Sequence, residues 1–184
     1  MLKESYKTDR LFLVQPNINM AGEIVDFYAR NKNFFKYFDP ERSELFYKIN
    51  THKNIIKMEL EEIKSSKMLK FWIYKKEDKK KIIGMINFVN IYRGVFLSAT
   101  VGYKLDEKEQ HKGYMTEALH TAVMIVFEEL KLHRIEANIM PHNKLSLELV
   151  KRLGFEYEGL AKKYLKINGK WEDHIHMTII NDKI

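Results

Sequence analysis

Apolar residues change their period several times along this chain, and each change marks an element. Leu11, Phe12, Leu13 and Val14 form a short run, led in by Thr8-Asp9-Arg10 and stopped by Pro16, which predicts a first strand. From Met20 to Phe38 the residues Ile24, Phe27, Tyr28, Phe34, Phe35 and Phe38 recur at roughly helical spacing, until Asp39-Pro40 breaks the pattern. A stripe of Ile55, Ile56, Leu60 and Ile63 predicts a second helix from about Asn50 to Ser65. Met68 to Tyr74 and Ile82 to Ile91 read as strands, and the KKEDKKK between them as a solvated hairpin turn rather than a basic patch. Phe96 to Leu105 is a further strand, followed by a helix from Tyr114 to about Leu130, a strand over Arg134 to Ile139 and a short helix over Asn143 to Leu153. Tyr157 to Ile167 and Trp171 to Ile180 close the chain as a hairpin whose turn is Asn168-Gly169, a pair that readily takes the positive φ angles of a tight turn.

The order is β-αα-βββ-α-β-α-ββ. Short connections make most neighbouring strands antiparallel, while the β-α-β crossover in the middle forces one parallel pair. The fold class is α+β (mixed α/β): a mostly antiparallel sheet of about seven strands with helices on both faces. No repeat, linker or low-complexity segment interrupts it, so residues 1–184 are expected to form a single domain. Trp72 and Phe88 belong to its core.

Composition narrows the chemistry. Lys and Arg number 32 against 25 Asp and Glu, a net charge of +7 that suits an anionic ligand but is too small to argue nucleic acid. With no cysteine, disulfides, thiolate metal sites and a Cys nucleophile are excluded. His174 and His176 share a strand face but lack a third ligand, so no metal is expected. The opening MLKESYKTDR carries no apolar targeting run and no window is long enough to span a membrane, so a cytoplasmic protein is expected.

Two strand-to-helix junctions stand out. In Gln110-His111-Lys112-Gly113-Tyr114-Met115-Thr116 the chain leaves a strand and enters a helix, whose first N–H groups have no partner within it. Those amides and the helix dipole favour an anion, Gly113 permits close approach, and Lys112 adds a charge. One strand later, Met140-Pro141-His142-Asn143-Lys144-Leu145-Ser146 enters the next helix, with Asn143 a natural N-cap and Ser146 in the first turn. Taken alone, the first junction is better explained as an ordinary loop and the second as an ordinary capped helix.

Taken together, the junctions resemble those of the GNAT family of N-acetyltransferases, which carries Gln or Arg, two residues, Gly, one residue, then Gly or Ala after its fourth strand, and an Asn-containing junction later. GYMTEAL, PHNKLSLELVKRLGF and the following EG, with TDRLFLVQP at the start and INGKWEDHIHMTII at the end, are most similar to the branch that acetylates ribosomal-protein N-termini, the RimJ/RimL type. Met115 departs from the pattern, standing where the family has Gly or Ala.

The resemblance implies acetyl-CoA as co-substrate and CoA as product. The pyrophosphate would lie on the amides of His111, Lys112, Gly113, Tyr114, Met115 and Thr116, with Gln110 also on the cofactor side. The pantetheine arm would run beside Tyr103, Lys104 and Leu105 and touch Asn143, Gly102 would supply the bulge that splays the strands, and Ser146 would serve the departing thiolate. The acceptor implied is an N-terminal α-amine of a ribosomal protein, with a homodimer common in the family. Phe38 or Tyr37, and Tyr164 and Trp171, are candidates for the acceptor side. Leu165 stands where some relatives have a catalytic Glu; Glu158, Asp173 and His174 are substitutes, each also explained structurally. A small-amine acetyltransferase, and a non-catalytic acetyl-CoA-binding or nucleic-acid-binding module, are the alternatives.

Overall fold

The computed structural model describes residues 2–184 and has one sheet of eight strands in the order β1-β2-β3-β4-β5-β6-β8-β7. The strands are β1 (Ser5–Lys7), β2 (Leu11–Val14), β3 (Leu69–Lys75), β4 (Asp78–Tyr92), β5 (Ser98–Leu105), β6 (Arg134–Ile139), β7 (Glu156–Ile167) and β8 (Lys170–Ile180). The α-helices are α1 (Ala21–Arg30), α2 (Lys32–Phe35), α3 (Ile49–Lys64), α4 (Tyr114–Glu128) and α5 (Lys144–Arg152). Every strand pair is antiparallel except β5 with β6.

Alternation along the strands feeds two cores. Leu11, Leu13, Leu69, Phe71, Ile73, Ala99 and Val101 turn to one face, where α4 supplies Met115, Ala118, Leu119, Ala122, Val123 and Val126 and α5 supplies Leu149 and Val150. Trp72, Tyr74, Ile82 and Met85 turn to the other face, beneath Ile24 and Phe27 of α1 and Ile56 of α3. β3 is therefore buried along nearly its whole length, as a strand covered on both faces must be, and its one buried charge, Lys70, is paired with Glu59. Phe88 lies in the first core and Trp72 in the second, as expected.

Three local readings change. β1 is an additional strand paired with β2, so the strand read as the fourth is β5. The expected helix over Met20 to Phe38 divides at Asn31, whose Nδ2 donates to the Phe27 carbonyl at 2.8 Å while its Oδ1 accepts from Glu107 N–H at 3.0 Å. The hairpin turn shrinks to Lys76-Glu77, because Lys79, Lys80 and Lys81 continue β4. In the last hairpin Asn168 and Gly169 both have positive φ, 48° and 82°, as the turn chemistry requires.

Candidate active site

β5 and β6 part company after only three residue pairs, the last being Thr100 with Glu136. Beyond that fork Val101–Leu105 stays hydrogen-bonded to β4 on its other edge. Its edge toward β6 is bare, and so is that of Ala137–Ile139. The bulge expected at Gly102 is absent: Gly102 pairs in register with Asn87, and the irregularity falls on β4 between Val89 and Tyr92, where Asn90 has a φ of 53°. Gly102 answers a different need, since a Cβ there would lie 2.8 Å from Asn87 Oδ1.

Two side chains close one face of the opening. Asn143 Oδ1 accepts from Ser146 N–H at 3.2 Å, the cap that starts α5 and fixes Ser146 in its first turn. Ser146 Oγ then lies 2.5 Å from the Tyr103 hydroxyl, which also reaches the Ser146 carbonyl at 3.3 Å. Burial, only partly offset by the Ser146 hydrogen bond, pushes the Tyr103 phenol up to about 12, so it stays protonated at neutral pH.

At the far end of β5 the chain turns through a 3-10 segment, Glu107–Glu109, into the loop before α4. Gly113 has φ 77° and ψ 1°, a left-handed conformation that favours glycine, and His111 is also left-handed at 60°. The first bond inside α4 runs from Glu117 N–H to the Gly113 carbonyl at 3.1 Å, so the amides of Tyr114, Met115 and Thr116 lie ahead of the helical ladder. Met115 turns its side chain into the core, 6% exposed.

The loop has a brace that the sequence did not reveal. Arg10 Nη1 donates to the Lys112 carbonyl at 2.9 Å, its Nε to Glu117 Oε2 at 2.6 Å, and its guanidinium lies over the Tyr114 ring at 4.6 Å. Burial alone would raise the Glu117 carboxyl, but hydrogen bonds from Thr8 and from Arg10 hold it below the usual range. Lys112 bends back: its ammonium is 2.8 Å from Glu109 Oε2 and 2.7 Å from the Lys108 carbonyl. Bare amides, a left-handed glycine and two nearby cations fit a diphosphate, Arg10 and Lys112 each being already paired with a carboxylate, Glu117 and Glu109.

The opposite face of the sheet differs. Lys104 crosses to this face, pairs with Asp39 and lies 5.5 Å from the Phe35 ring centre. A cavity of about 470 Å³ opens beside them, lined by Tyr28, Phe35, Tyr37, Asp39, Arg42 and Tyr47 among others. Asn168, in the β7–β8 turn, donates to the Lys36 carbonyl at 2.8 Å and so borders it. Phe38 stacks on His142, at 6.1 Å, beside the second junction. Tyr164 accepts from Asn138 Nδ2 at 3.3 Å, whereas Trp171 is exposed.

The carboxylates weighed as bases are engaged elsewhere. Glu158 is held by Arg134, 2.7 Å from Nη1, and that hydrogen bond depresses its carboxyl. Asp173 Oδ1 accepts from Lys163 N–H at 2.8 Å. Burial lowers His174, whose Nδ1 lies 3.1 Å from the Glu172 carbonyl. Leu165 is exposed on β7. Among the described residues no three His, Asp or Glu cluster as metal ligands, and no helix is long and apolar enough to cross a membrane.

Comparison with known proteins gives a consistent picture. The family model described as an acetyltransferase (GNAT) domain matches residues 10–156. An Escherichia coli (strain K12) protein, [ribosomal protein uS5]-alanine N-acetyltransferase, is 40% identical over 168 residues, which span 91% of this chain and 86% of that protein. The Bacillus subtilis (strain 168) probable N-acetyltransferase YjcK is 37% identical over 161 residues, 88% of each. The crystal structure of ribosomal-protein-S5-alanine acetyltransferase from Vibrio fischeri superposes with a TM-score of 0.93 at 34% identity, over 98% of each chain.

Proposed function

The chain belongs to the GNAT acetyltransferase family and uses acetyl-CoA, and on that premise we propose that it acetylates the N-terminal α-amine of a ribosomal protein. The observation that carries this reading is the fork between β5 and β6, which leaves a strand edge bare between a diphosphate-fitting loop and a half-buried hydroxyl pair. The similar E. coli and V. fischeri proteins carry ribosomal alanine acetylation in their names, which supports the choice of acceptor.

When bound, acetyl-CoA supplies a thioester whose carbonyl carbon accepts the amine and whose thiolate departs. The amides of His111 to Thr116, with Arg10 behind them, hold the diphosphate, whereas the Gln110 N–H is already given to the Glu107 carbonyl at 3.4 Å. The free edge of Tyr103, Lys104 and Leu105 pairs with the pantetheine arm, and Asn143 flanks it. A backbone N–H on that edge donates to the carbonyl oxygen as negative charge gathers there. Tyr103, protonated at neutral pH, donates to Ser146 Oγ and leaves the serine proton free to reach the departing sulfur.

An α-ammonium titrates at about 7.7 to 8.0 and a lysine at about 10.4, so the terminal amine costs roughly 3 kcal/mol less to deprotonate. A site without a free carboxylate base therefore suits an α-amine. The cavity beside Asp39 and Lys104 takes the residues that follow that amine, and Tyr37 forms part of its wall. We assign the enzyme to the cytoplasm. We also expect a homodimer, with exposed Tyr157, Leu160 and Leu165 along edge strand β7 as its contact, which sedimentation would check.

An amine-acceptor screen with a free-thiol readout tests the reading. Thiol release with ribosomal-protein N-terminal peptides, well above that with polyamines or free amino acids, is the expected result. Equal or greater release with a small amine would contradict it.

A further inference from the structure

On the sheet face opposite Ser146, two side-chain atoms are closed to solvent and have no hydrogen-bond partner: Asn138 Oδ1 and His176 Nε2. They are neighbours by register, since Asn138 of β6 pairs with His176 of β8. Glu136 is the last β6 residue to pair with β5. Asn138 comes two residues later on the same face, which makes it the first side chain of that face beyond the fork.

Tyr164 covers both atoms. Its hydroxyl accepts from Asn138 Nδ2 at 3.3 Å and its ring meets the His176 ring edge-on at 4.9 Å. An irregularity in β7 puts it there: the register slips between Ala161 and Leu165, and Lys163 takes a φ of 50° with its N–H on Asp173 Oδ1 at 2.8 Å. Bulges re-aim side chains, and a left-handed non-glycine residue holds backbone strain of the kind found at functional sites. The residue so placed is 40% exposed, so burial of its ring does not explain the arrangement.

An amide oxygen accepts hydrogen bonds, as does the Nε2 of an imidazole in its Nδ1–H tautomer, and a primary amine or ammonium supplies the donors the two lack. We propose that Asn138, His176 and Tyr164 form the seat of the acceptor's amino group, with His176 Nε2 taking the proton that the ammonium sheds before attack. The proposal rests on the N-acetyltransferase reading and supplies its missing base. Tyr164 moves off the pair as the acceptor enters.

The proton balance closes. One N–H bond of the ammonium breaks and its proton joins Nε2. The freed lone pair forms the C–N bond as the C–S bond breaks, the nitrogen's second proton passes to sulfur by way of Ser146, and the imidazolium returns its proton to solvent. The groups facing His176 are Glu158 and Tyr164 from β7, Arg134 and Glu136 from β6, and His174 on its own strand. Both carboxylates are spent on Arg134, at 2.7 Å each, and so do not compete for the proton.

The test is the pH profile of kcat/KM for an N-terminal peptide, read by thiol release, in the wild type and in His176→Gln. Glutamine keeps a hydrogen-bonding group and cannot take the proton. Expected is a loss of about tenfold near pH 7, where only about a tenth of an amine titrating at about 7.7 to 8.0 is free, an unchanged KM for acetyl-CoA, and an acid limb moved up toward that titration. The loss shrinks above about pH 8, where solvent deprotonates the amine. An unchanged profile, or an equal loss at every pH, would overturn the proposal. NMR of 15N-histidine-labelled wild type gives a check that needs no active variant: peptide added with CoA must shift the His176 Nε2 resonance, and no shift overturns the proposal. A wild type that acetylates no amine would instead overturn the acetyltransferase reading on which the proposal stands.

Discussion

Ser146 and Tyr103 are read as one unit, and a double-mutant cycle tests that. Ser146→Ala removes the hydroxyl assigned to the departing sulfur. A thiol of the cysteine type titrates at about 8.5, so its anion leaves readily near neutrality. The loss in kcat should therefore sit at or below the bottom of the usual range for general acid catalysis, about a hundredfold. Tyr103→Phe leaves the serine in place and takes away the donor 2.5 Å from its Oγ. A neutral hydrogen bond contributes about 0.5–1.5 kcal/mol, which converts to a loss of about 2- to 13-fold. Because the tyrosine acts only through the serine, the double variant should match Ser146→Ala alone. The KM for acetyl-CoA should hold in all three, since Asn143 and the loop amides are untouched. In Ser146→Ala the phenol keeps the carbonyl of residue 146 at 3.3 Å, so its melting temperature should change little. Thiol-release kinetics under saturating peptide supply the numbers. Multiplicative losses would show that the two hydroxyls work independently, and an unchanged kcat in Ser146→Ala would remove the serine from the chemistry.

Gly113→Glu should abolish acetyl-CoA binding in calorimetry, because a carboxylate on a left-handed residue at the loop both strains the backbone and repels the diphosphate; wild-type affinity would refute the cradle. Arg10→Ala should weaken acetyl-CoA binding by about tenfold, the equivalent of one charge-assisted contact, whereas Lys112→Ala should do much less; the reverse order would mean that Lys112 leaves Glu109 to bind the ligand. Asp106 is 2% exposed and 2.7 Å from Arg30 Nε. Burial alone would raise its carboxyl, but the Arg30 hydrogen bond and the Lys108 N–H hold it below the usual range. A depressed folded-state pKa gives stability that is present above the unfolded value, about 3.9, and lost as pH falls through the folded one. Thermal melts should therefore worsen as pH drops below about 4, and Asp106→Asn should cost about 1.5–3 kcal/mol at pH 7 while flattening that acid decline; an undiminished decline would contradict it.

Elements with a strong period or a strong turn were legible from sequence: the Leu11–Val14 strand, the mostly apolar and buried β3, the α4 helix and the Asn168-Gly169 hairpin all stand close to where they were read. β1 was missed because three residues carry too little alternation to register. The break at Asn31 was missed because its cause, an amide bonded to Phe27 and Glu107, joins distant parts of the chain. The same distance hid Arg10, which acts on a loop a hundred residues later, and the contact between Tyr103 and Ser146. Gly102 shows the limit of reading a glycine as a bulge, since what it accommodates is the Asn87 side chain across the ladder. Met115, which breaks the motif, is absorbed by the core.

The central claim is acetyl transfer from acetyl-CoA to an α-amine, and one measurement bears on it most directly. A ribosomal-protein peptide with an N-terminal alanine and one internal lysine is incubated with enzyme and acetyl-CoA, and the product is sequenced by tandem mass spectrometry. The account predicts a single acetyl group on the alanine nitrogen. Acetyl on the lysine, or an unmodified peptide under conditions where acetyl-CoA binds, would contradict it.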